Sequence, residues 1–437
     1  MALKSITVGG MRNLGLTHIE LDGITAIVSA NNYGKTNLME ALGFAAAFIT
    51  ASAKDRLAMM SYTRYIPLVT ALQDEEFHFE VELDEPDLGE YRYIKYGFSF
   101  LWMRDDGAGR RITQEAIALK ADKTGKWTNY LKRAQGKYRK SYQTRSFSTV
   151  VLDDAQLAID VLTSFEDIAI NPAIRKIRDM AFVMFDAIDA QGKFSSMPLE
   201  FPGEASADGG IALNDDDLPR ALYGLRTLEQ EKYDDFLSAI FTLFPTFESF
   251  IVDSYKLQDE IHERLLKSFE LQEGEDDVPF RIKDELYRIT VKDVHLNQPI
   301  NIQRMSAGTK RIVWLVANTI LANLARAEMV GIEELETSIH PQLIKSLLEI
   351  LDENKGDTQL IISSHSPVLI QYLKPTQIYV GVPNENGVAT FKRIRSNLIE
   401  KLAARAYDTG LGFGEYLFEL MSSGERGSRD LLSYLEA

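Results

Sequence analysis

Apolar positions along this chain change period several times, and each change marks a different kind of element. Ile6 and Val8, then Ile19 and Leu21, then the run Ile24–Val28 predict three short strands near the start. A loop follows, and from Thr36 the residues Leu38, Leu42 and Ala45 recur at helical spacing. From Phe77 the period falls to two: Phe77, Phe79, Val81 and Leu83 alternate with His78, Glu80 and Glu82, and residues 91–103 and 111–120 continue the pattern. That alternation predicts an antiparallel sheet with one buried face, the stretch after Lys120 being its last hairpin or arm.

Residues 150–270 read as mainly helical, with helices expected over 153–165, 173–188 and 218–244. Loop-like stretches at 203–210 and 214–217 interrupt them, and an acidic stretch at 273–277 precedes strands over 280–294. A long helix is expected from Thr309 (Ile312, Leu315, Val316, Ile320, Leu321, Leu324), then a strand Met329–Ile332, a helix Pro341–Asn354 and a strand over 359–363. A hairpin turning at Asn384 to Gly387 and an amphipathic helical tail, with Tyr416, Leu417, Leu420 and Met421 on one side, complete the pattern. The fold class is α/β. Its core is divided between 1–76 and 280–400, with an antiparallel β subdomain at 77–149, a helical insertion at 150–279 and a helical tail at 401–437.

Composition narrows the function classes. At 437 residues, 45% hydrophobic and 26% charged, the chain has the make-up of a soluble globular protein with room for more than one domain. No apolar run approaches the length of a membrane span, since residues 315–325 still carry Asn318 and Asn323. Cysteine is absent, which rules out thiolate metal sites and disulfides and fits a reducing compartment such as the cytoplasm. A net charge of −16 argues against a surface coated for nucleic acid, but one window runs the other way. Lys120, Lys123, Lys126, Lys132, Arg133, Lys137, Arg139, Lys140 and Arg145 surround a single acid, Asp122, giving +8 there and −24 elsewhere. Trp127, Tyr130, Tyr138 and Tyr142 are interleaved, a pattern that suits single-stranded nucleic acid but is more often a solvated hairpin with inward-packed rings.

Four short segments carry chemistry. Ser29, Ala30, Asn31, Asn32, Tyr33, Gly34, Lys35 and Thr36 form a loop between an apolar strand and a helix, a cradle of backbone N–H groups for phosphate. Lys35 would reach the β- and γ-phosphates and the Thr36 hydroxyl would hold Mg²⁺. The first glycine of the usual pattern is replaced by Ser29. The strand Met329–Ile332 delivers Glu333 and Glu334; Glu333 stands on the metal side, through water, and Glu334 is the candidate general base. Ser363, Ser364, His365, Ser366 and Pro367 close a second strand, and His365 at its end can donate a hydrogen bond to a γ-phosphate. Ser306, Ala307 and Gly308 open the long helix from Thr309, where Ser306 is both a cap and part of a second anion site. His340 is assigned to structure.

Together these residues resemble the ABC-type ATPase heads of the RecF/SMC group, and closest the AAA-type ATP-binding proteins related to the OLD family. Met11, Arg12, Asn13 and Leu14, then Ile19 to Ile24, resemble that group's opening; Asn31 to Glu40, through Gly34, Lys35, Thr36 and Asn37, resemble its phosphate loop. Met305 to Lys310 are similar to its signature, and Glu333 to Gln342 to its acidic strand end, with Glu333 and Leu335 in place of Asp and Pro. The resemblance implies a P-loop ABC-type head that binds ATP and Mg²⁺ in a head-to-tail homodimer or higher oligomer. It places Arg12 near the nucleotide, makes Glu334 catalytic, and has Ser306 and Gly308 act in trans on the partner's ATP. No Asp-x-Asp of a Toprim nuclease follows His365. The expectation is a stand-alone ATPase subunit, the sensor or regulator of a bacterial anti-phage system acting with a separate nuclease or toxin. Two alternatives remain open: a RecF-like DNA-binding repair ATPase using the 120–145 window, and a scaffold that holds ATP without hydrolysing it.

Overall fold

The computed structural model describes residues 2–30, 33–65, 67–134, 137–139, 152–163, 170–185, 189–196, 199–200, 217–257, 281–283 and 285–436. The chain has the expected α/β class and divides into two compact units. Residues 1–184, 326–335 and 357–437 form the first; residues 185–325 and 336–356 form the second.

The first unit holds a seven-stranded antiparallel sheet. Its members are β1 (Ala2–Gly9), β2 (Thr17–Glu20), β4 (Glu76–Leu88), β5 (Tyr91–Leu101), β6 (Arg111–Lys120), β7 (Thr128–Ala134) and β8 (Lys137–Arg139), in the order β2-β1-β4-β5-β6-β7-β8. The period-two pattern works as read: Phe77, Phe79, Val81 and Leu83 are buried while His78, Glu80 and Glu82 alternate with them. A second sheet has six strands, β3 (Ile24–Val28), β9 (Phe182–Phe185), β15 (Met329–Ile332), β16 (Gln359–Ser364), β17 (Ile378–Pro383) and β18 (Ala389–Arg393), ordered β18-β17-β3-β16-β15-β9. Strands β17, β3, β16 and β15 run parallel, and every residue of β3, β15 and β16 is buried, as their unbroken apolar runs require.

Helix α1 (Lys35–Thr50) packs through Phe48, whose ring stacks on Phe98 at 5.0 Å and Phe100 at 4.9 Å; Leu38, Met39, Leu42 and Ala45 belong to the same core. Truncating one such ring costs about 3–5 kcal/mol. The carbonyl end of α1 is tied down by Arg56 of α2 (Ala53–Met59), which is fully buried and donates to Phe48 O at 2.7 Å and Ile49 O at 2.8 Å while pairing with Asp160 at 2.5 Å. Two short helices follow, α3 (Ala158–Leu162) and α4 (Asn171–Arg178). The unit ends in α9 (Pro367–Gln371), α10 (Ile399–Asp408), α11 (Phe413–Ser422) and α12 (Gly424–Leu432).

The second unit contains α5 (Leu218–Leu228), α6 (Gln230–Leu243), α7 (Ala307–Leu324) and α8 (Pro341–Asn354). It also holds an antiparallel sheet of β11 (Phe247–Lys256), β13 (Glu285–Asp293) and β14 (Ile300–Asn301), and a small pair of β10 (Leu199–Glu200) with β12 (Arg281–Ile282). Residues 310–322 of α7 are all buried, Lys310, Arg311, Asn318 and Thr319 among them, so this helix is enclosed on every side rather than along one stripe.

Three helix expectations are corrected. Of the segment 153–165, only Ala158–Leu162 is helical among the described residues, and 164–165 lie outside them. Among the described residues of the segment 173–188, the helix runs only to Arg178 and Phe182–Phe185 is the edge strand β9; residues 186–188 lie outside them. A four-residue apolar run fits either period, and the sheet edge decides it. The segment 218–244 is two helices broken at Glu229, which caps both with φ −136° and ψ 63° and carries no glycine or proline signal.

Candidate active site

Three neighbouring parallel strands bring the chemistry to one edge. Val28 of β3 lies opposite Ser364 of β16, and Ile332 of β15 opposite Ile362 of β16, so their carboxyl ends open side by side. Sites in parallel sheets form at such ends because each strand hands the chain to a loop there. Here the three loops carry Lys35, Glu334 and His365.

The loop after β3 turns through Gly34 at φ +87°, where a Cβ would stand 2.9 Å from Asn13 Oδ1 and 3.0 Å from Ala389 Cβ; only glycine fits. No side chain caps α1, so its leading N–H groups face the loop, as an anion site needs. Lys35 is buried and its Nζ donates to Ser29 O at 3.0 Å, Ser29 Oγ at 3.2 Å and Ala30 O at 3.2 Å, and stands 3.4 Å from His365 Nδ1. Tyr33 is half-buried and Thr36 exposed; Asn31 and Asn32 lie outside the described residues.

Ser29, the departure from glycine, is fully buried, and its hydroxyl both accepts from Lys35 and donates to Ala30 O at 3.0 Å. Room for it comes from β17: a Cβ on Gly381 would lie 3.0 Å from Ser29 Cβ and 2.5 Å from the Phe391 ring. One glycine on the neighbouring strand compensates for the one missing from the loop.

Arg12 sits at the tip of a tight turn with φ +54°. Its guanidinium donates to Asn37 Oδ1 at 3.0 Å and pairs with Glu40 at 2.6 Å, while Asn37 Nδ2 donates to Asn13 Oδ1 at 2.6 Å. The opening motif is thus fixed to the head of α1. Glu333 and Glu334 are half-buried at the end of β15. Glu334 holds φ +44°, rare for a side chain of this kind, its N–H donates to Ser363 Oγ at 3.1 Å, and its Oε1 is 3.8 Å from His365 Nε2. Lys35, His365 and Glu334, from three motifs far apart in sequence, therefore meet in a row. A cavity of about 450 Å³ opens beside them, lined by Ala30, Glu334, His365, Phe418, Met421 and Ser422. The last three belong to α11 and match no motif; the apolar stripe of the tail signalled only Met421 among them.

Ser306 and Gly308 belong to the second unit. Ser306 is exposed and caps α7, accepting from Thr309 N at 3.1 Å. Gly308 has a steric reason of its own: a Cβ there would lie 2.3 Å from the Ser338 carbonyl oxygen, in a turn where Ser338 holds φ +65°. His340 caps α8, accepting from Gln342 N at 3.3 Å.

In the basic window, Lys120 Nζ lies 4.3 Å over Trp127 and 4.8 Å over Tyr93 and bonds to Glu82 at 3.1 Å. Tyr130 packs edge-on against Tyr91, and Arg133 is buried, bonding to the carbonyls of Gln156 and, at 3.3 Å, Asp153. Lys123, Lys126 and Lys132 are exposed; Lys140, Tyr142 and Arg145 lie outside the described residues.

The family model described as "AAA domain, putative AbiEii toxin, Type IV TA system" matches residues 24–371. The chain belongs to this AAA family. Among solved structures it is similar to an SMC head bound to the C-terminal winged-helix domain of ScpA, at 14% identity over 91% of this chain and 99% of that one, with a TM-score of 0.50. Two further SMC heads match less well. One has an extended coiled coil and is bound to the C-terminal domain of ScpA derived from Pyrococcus furiosus (13%, 93% and 99%, TM-score 0.48); the other is from Thermotoga maritima (12%, 90% and 100%, TM-score 0.42). No curated protein matches the sequence. Family and fold make this chain an ABC/AAA-type ATPase. Among the described residues no helix is long and apolar enough to cross a membrane.

Proposed function

We propose that the chain binds ATP with Mg²⁺ at the strand-end site and hydrolyses it to ADP and phosphate, as the ATPase subunit of a bacterial anti-phage system of the kind related to the OLD family. The single observation that carries the reading is the meeting of Lys35, His365 and Glu334 at distances of 3.4 and 3.8 Å beside an open cavity. The residues fit the ligands: uncapped N–H groups and Lys35 suit a polyphosphate, and an exposed Thr36 hydroxyl at the head of α1 and the half-buried Glu333 at the end of β15 are oxygen donors of the kind a hydrated hard cation takes. When bound, Mg²⁺ neutralises charge on the phosphates. Lys35 binds the β- and γ-phosphates, with the loop residues Asn31, Asn32, Tyr33 and Gly34 around them. Arg12 and Asn37 fix the rim of the loop. Glu334 takes the proton of the attacking water, and His365 donates a hydrogen bond to the γ-phosphate. Ser306 and Gly308 complete the site in trans, in a head-to-tail homodimer.

Phosphate release by the purified chain tests the reading. Activity with MgATP is expected, lost on Lys35→Ala, with Glu334→Gln retaining nucleotide without turning it over. Failure of the wild type to hydrolyse, alone or with DNA or a candidate effector, would leave the scaffold reading in its place. The effector is proposed to be a separately encoded nuclease or toxin. The DNA-binding alternative draws on fewer groups than the sequence offered, because Lys120 and Arg133 are engaged inside their own sheet.

A further inference from the structure

Resting on the ATPase reading, we propose that α11 of the C-terminal tail forms a nucleotide-responsive wall of the catalytic pocket, with Phe418 and Met421 closing the space beside Glu334 and His365. The cavity that holds the two catalytic side chains is bounded on its other side by Phe418, Met421 and Ser422, all from one helix. An apolar wall facing a carboxylate and an imidazole limits the water around them and strengthens their interactions with charge.

The same helix is joined to the loop that carries His365. Ser366, the next residue, caps α9, and its N–H donates to Ser364 Oγ at 2.9 Å. Backbone meets backbone between α9 and α11 at one point, where a Cβ on Gly414 would lie 2.3 Å from the Pro367 carbonyl oxygen; just before α11, a Cβ on Gly412 would lie 3.0 Å from the Gln371 side-chain Nε2. A shift of His365 toward a γ-phosphate would therefore pass through α9 into α11 at the Gly414–Pro367 backbone contact. The turn before α11 contains Gly410 at φ +76° with open space around it, a place where the backbone can adjust. Beyond α12 the chain is held, by Arg395 N donating to Tyr434 O at 2.8 Å and Glu436 N donating to Arg393 O at 2.9 Å. The tail is thus anchored at its far end and hinged before α11, and α12 is carried with α11, since a Cβ on Gly427 would lie 2.3 Å from the Leu420 carbonyl oxygen.

The absence of cysteine makes the test clean. In full-length Glu334→Gln protein, Glu419→Cys on the outer side of α11 and Ser396→Cys as reference carry spin labels, and the distance between them is measured without nucleotide, with MgADP and with MgATP. MgATP is expected to move the distribution outside its nucleotide-free width, and MgADP to leave it in place. Nucleotide binding, followed separately with a fluorescent analogue, distinguishes the two ways to fail. Bound MgATP with an unmoved distribution overturns this proposal alone, whereas no binding overturns the ATPase reading and this proposal with it. A second readout is kinetic. Phe418→Ala is expected to lower kcat about tenfold with KM nearly unchanged, and Phe418→Leu to restore it, since only the wall is altered. Equal kcat for wild type and Phe418→Ala contradicts the assignment.

Discussion

The phosphate-loop corner and the basic window are both charged, and both stand out in sequence, yet the fold treats them in opposite ways. At the strand ends, Lys35, Glu334 and His365 come from three separate motifs and stand 3.4 and 3.8 Å apart in a row, of which Glu334 and His365 line a cavity. In the window, Lys120 and Arg133 turn back onto Glu82, Trp127 and the carbonyls of Gln156 and Asp153. Charge density along a sequence therefore says little about binding until it is known which charges the fold has already engaged locally. Convergence of charges from distant segments is the more informative sign, because local structure alone does not require it.

The comparison breaks most severely at the loop corner. Glu334→Gln should lower phosphate release by about 10²–10⁴-fold, the usual range for a lost general base, without loss of folding. A variant within a few-fold of wild type would remove Glu334 from the chemistry. On the window side, Arg133→Gln should destabilise the chain by about 3 kcal/mol, while Lys132→Gln, one residue away but exposed, should stay within about 0.5 kcal/mol. Urea midpoints decide it, and equal midpoints would show that Arg133 is no more structural than its neighbour. For the same reason Arg133 is unsuited to any test of DNA binding, where Lys123, Lys126 and Lys132 are the appropriate targets.

A buried carboxylate of the same sheet gives a pH-dependent contrast. Burial pushes Glu115 up from 4.5 to about 7, against two backbone N–H bonds from Ala158 and Ile159. Glu328, accepting from Ala181 N at 2.6 Å, is likewise raised to about 7 by burial. The folded chain keeps protons that the unfolded chain releases, so this stabilisation is complete below 4.5 and is lost as pH rises through about 7. It is on the order of 3 kcal/mol per group. Unfolding midpoints between pH 5 and 8 should fall with rising pH, and the slope should lessen in Glu115→Gln; an unaltered slope would mean that Glu115 does not titrate there. The smallest effect is expected at the compensating pair. Gly381→Ala should cost about 1–3 kcal/mol by overpacking against Phe391 and Ser29, and Ser29→Gly should recover part of it. Additive effects in the double variant would sever the pair.

Much of this was legible in the sequence. The strands Ile24–Val28 and Met329–Ile332 and the helix Pro341–Asn354 have the bounds their apolar runs suggested, because each run is fully buried or cleanly amphipathic. The motif residues could be named because loops after parallel strands carry recognisable residue types at short spacing. Other features could not be read. The break at Glu229 has no turn residue, and β9 is too short for its period to speak. Met421 is an ordinary member of the tail's amphipathic stripe and Phe418 lies off it, and only folding brings the two to Glu334. The room that Gly381 makes for Ser29 is a contact between residues more than three hundred positions apart, beyond any local pattern.

The proposal that two protomers share each nucleotide is tested most directly by mixing two inactive variants. Lys35→Ala removes the loop lysine, and Ser306→Arg blocks the segment offered in trans; Gly308 is avoided because the Ser338 carbonyl excludes any side chain there. In a head-to-tail pair, one of the two sites in each mixed dimer contains an intact Lys35 and an intact Ser306. Phosphate release by the mixture should recover to roughly a quarter of the wild-type rate if protomers assort freely. If the two variants co-assemble by light scattering and the mixture still releases no more phosphate than either alone, nucleotide is not held between Lys35 of one protomer and Ser306 of the other.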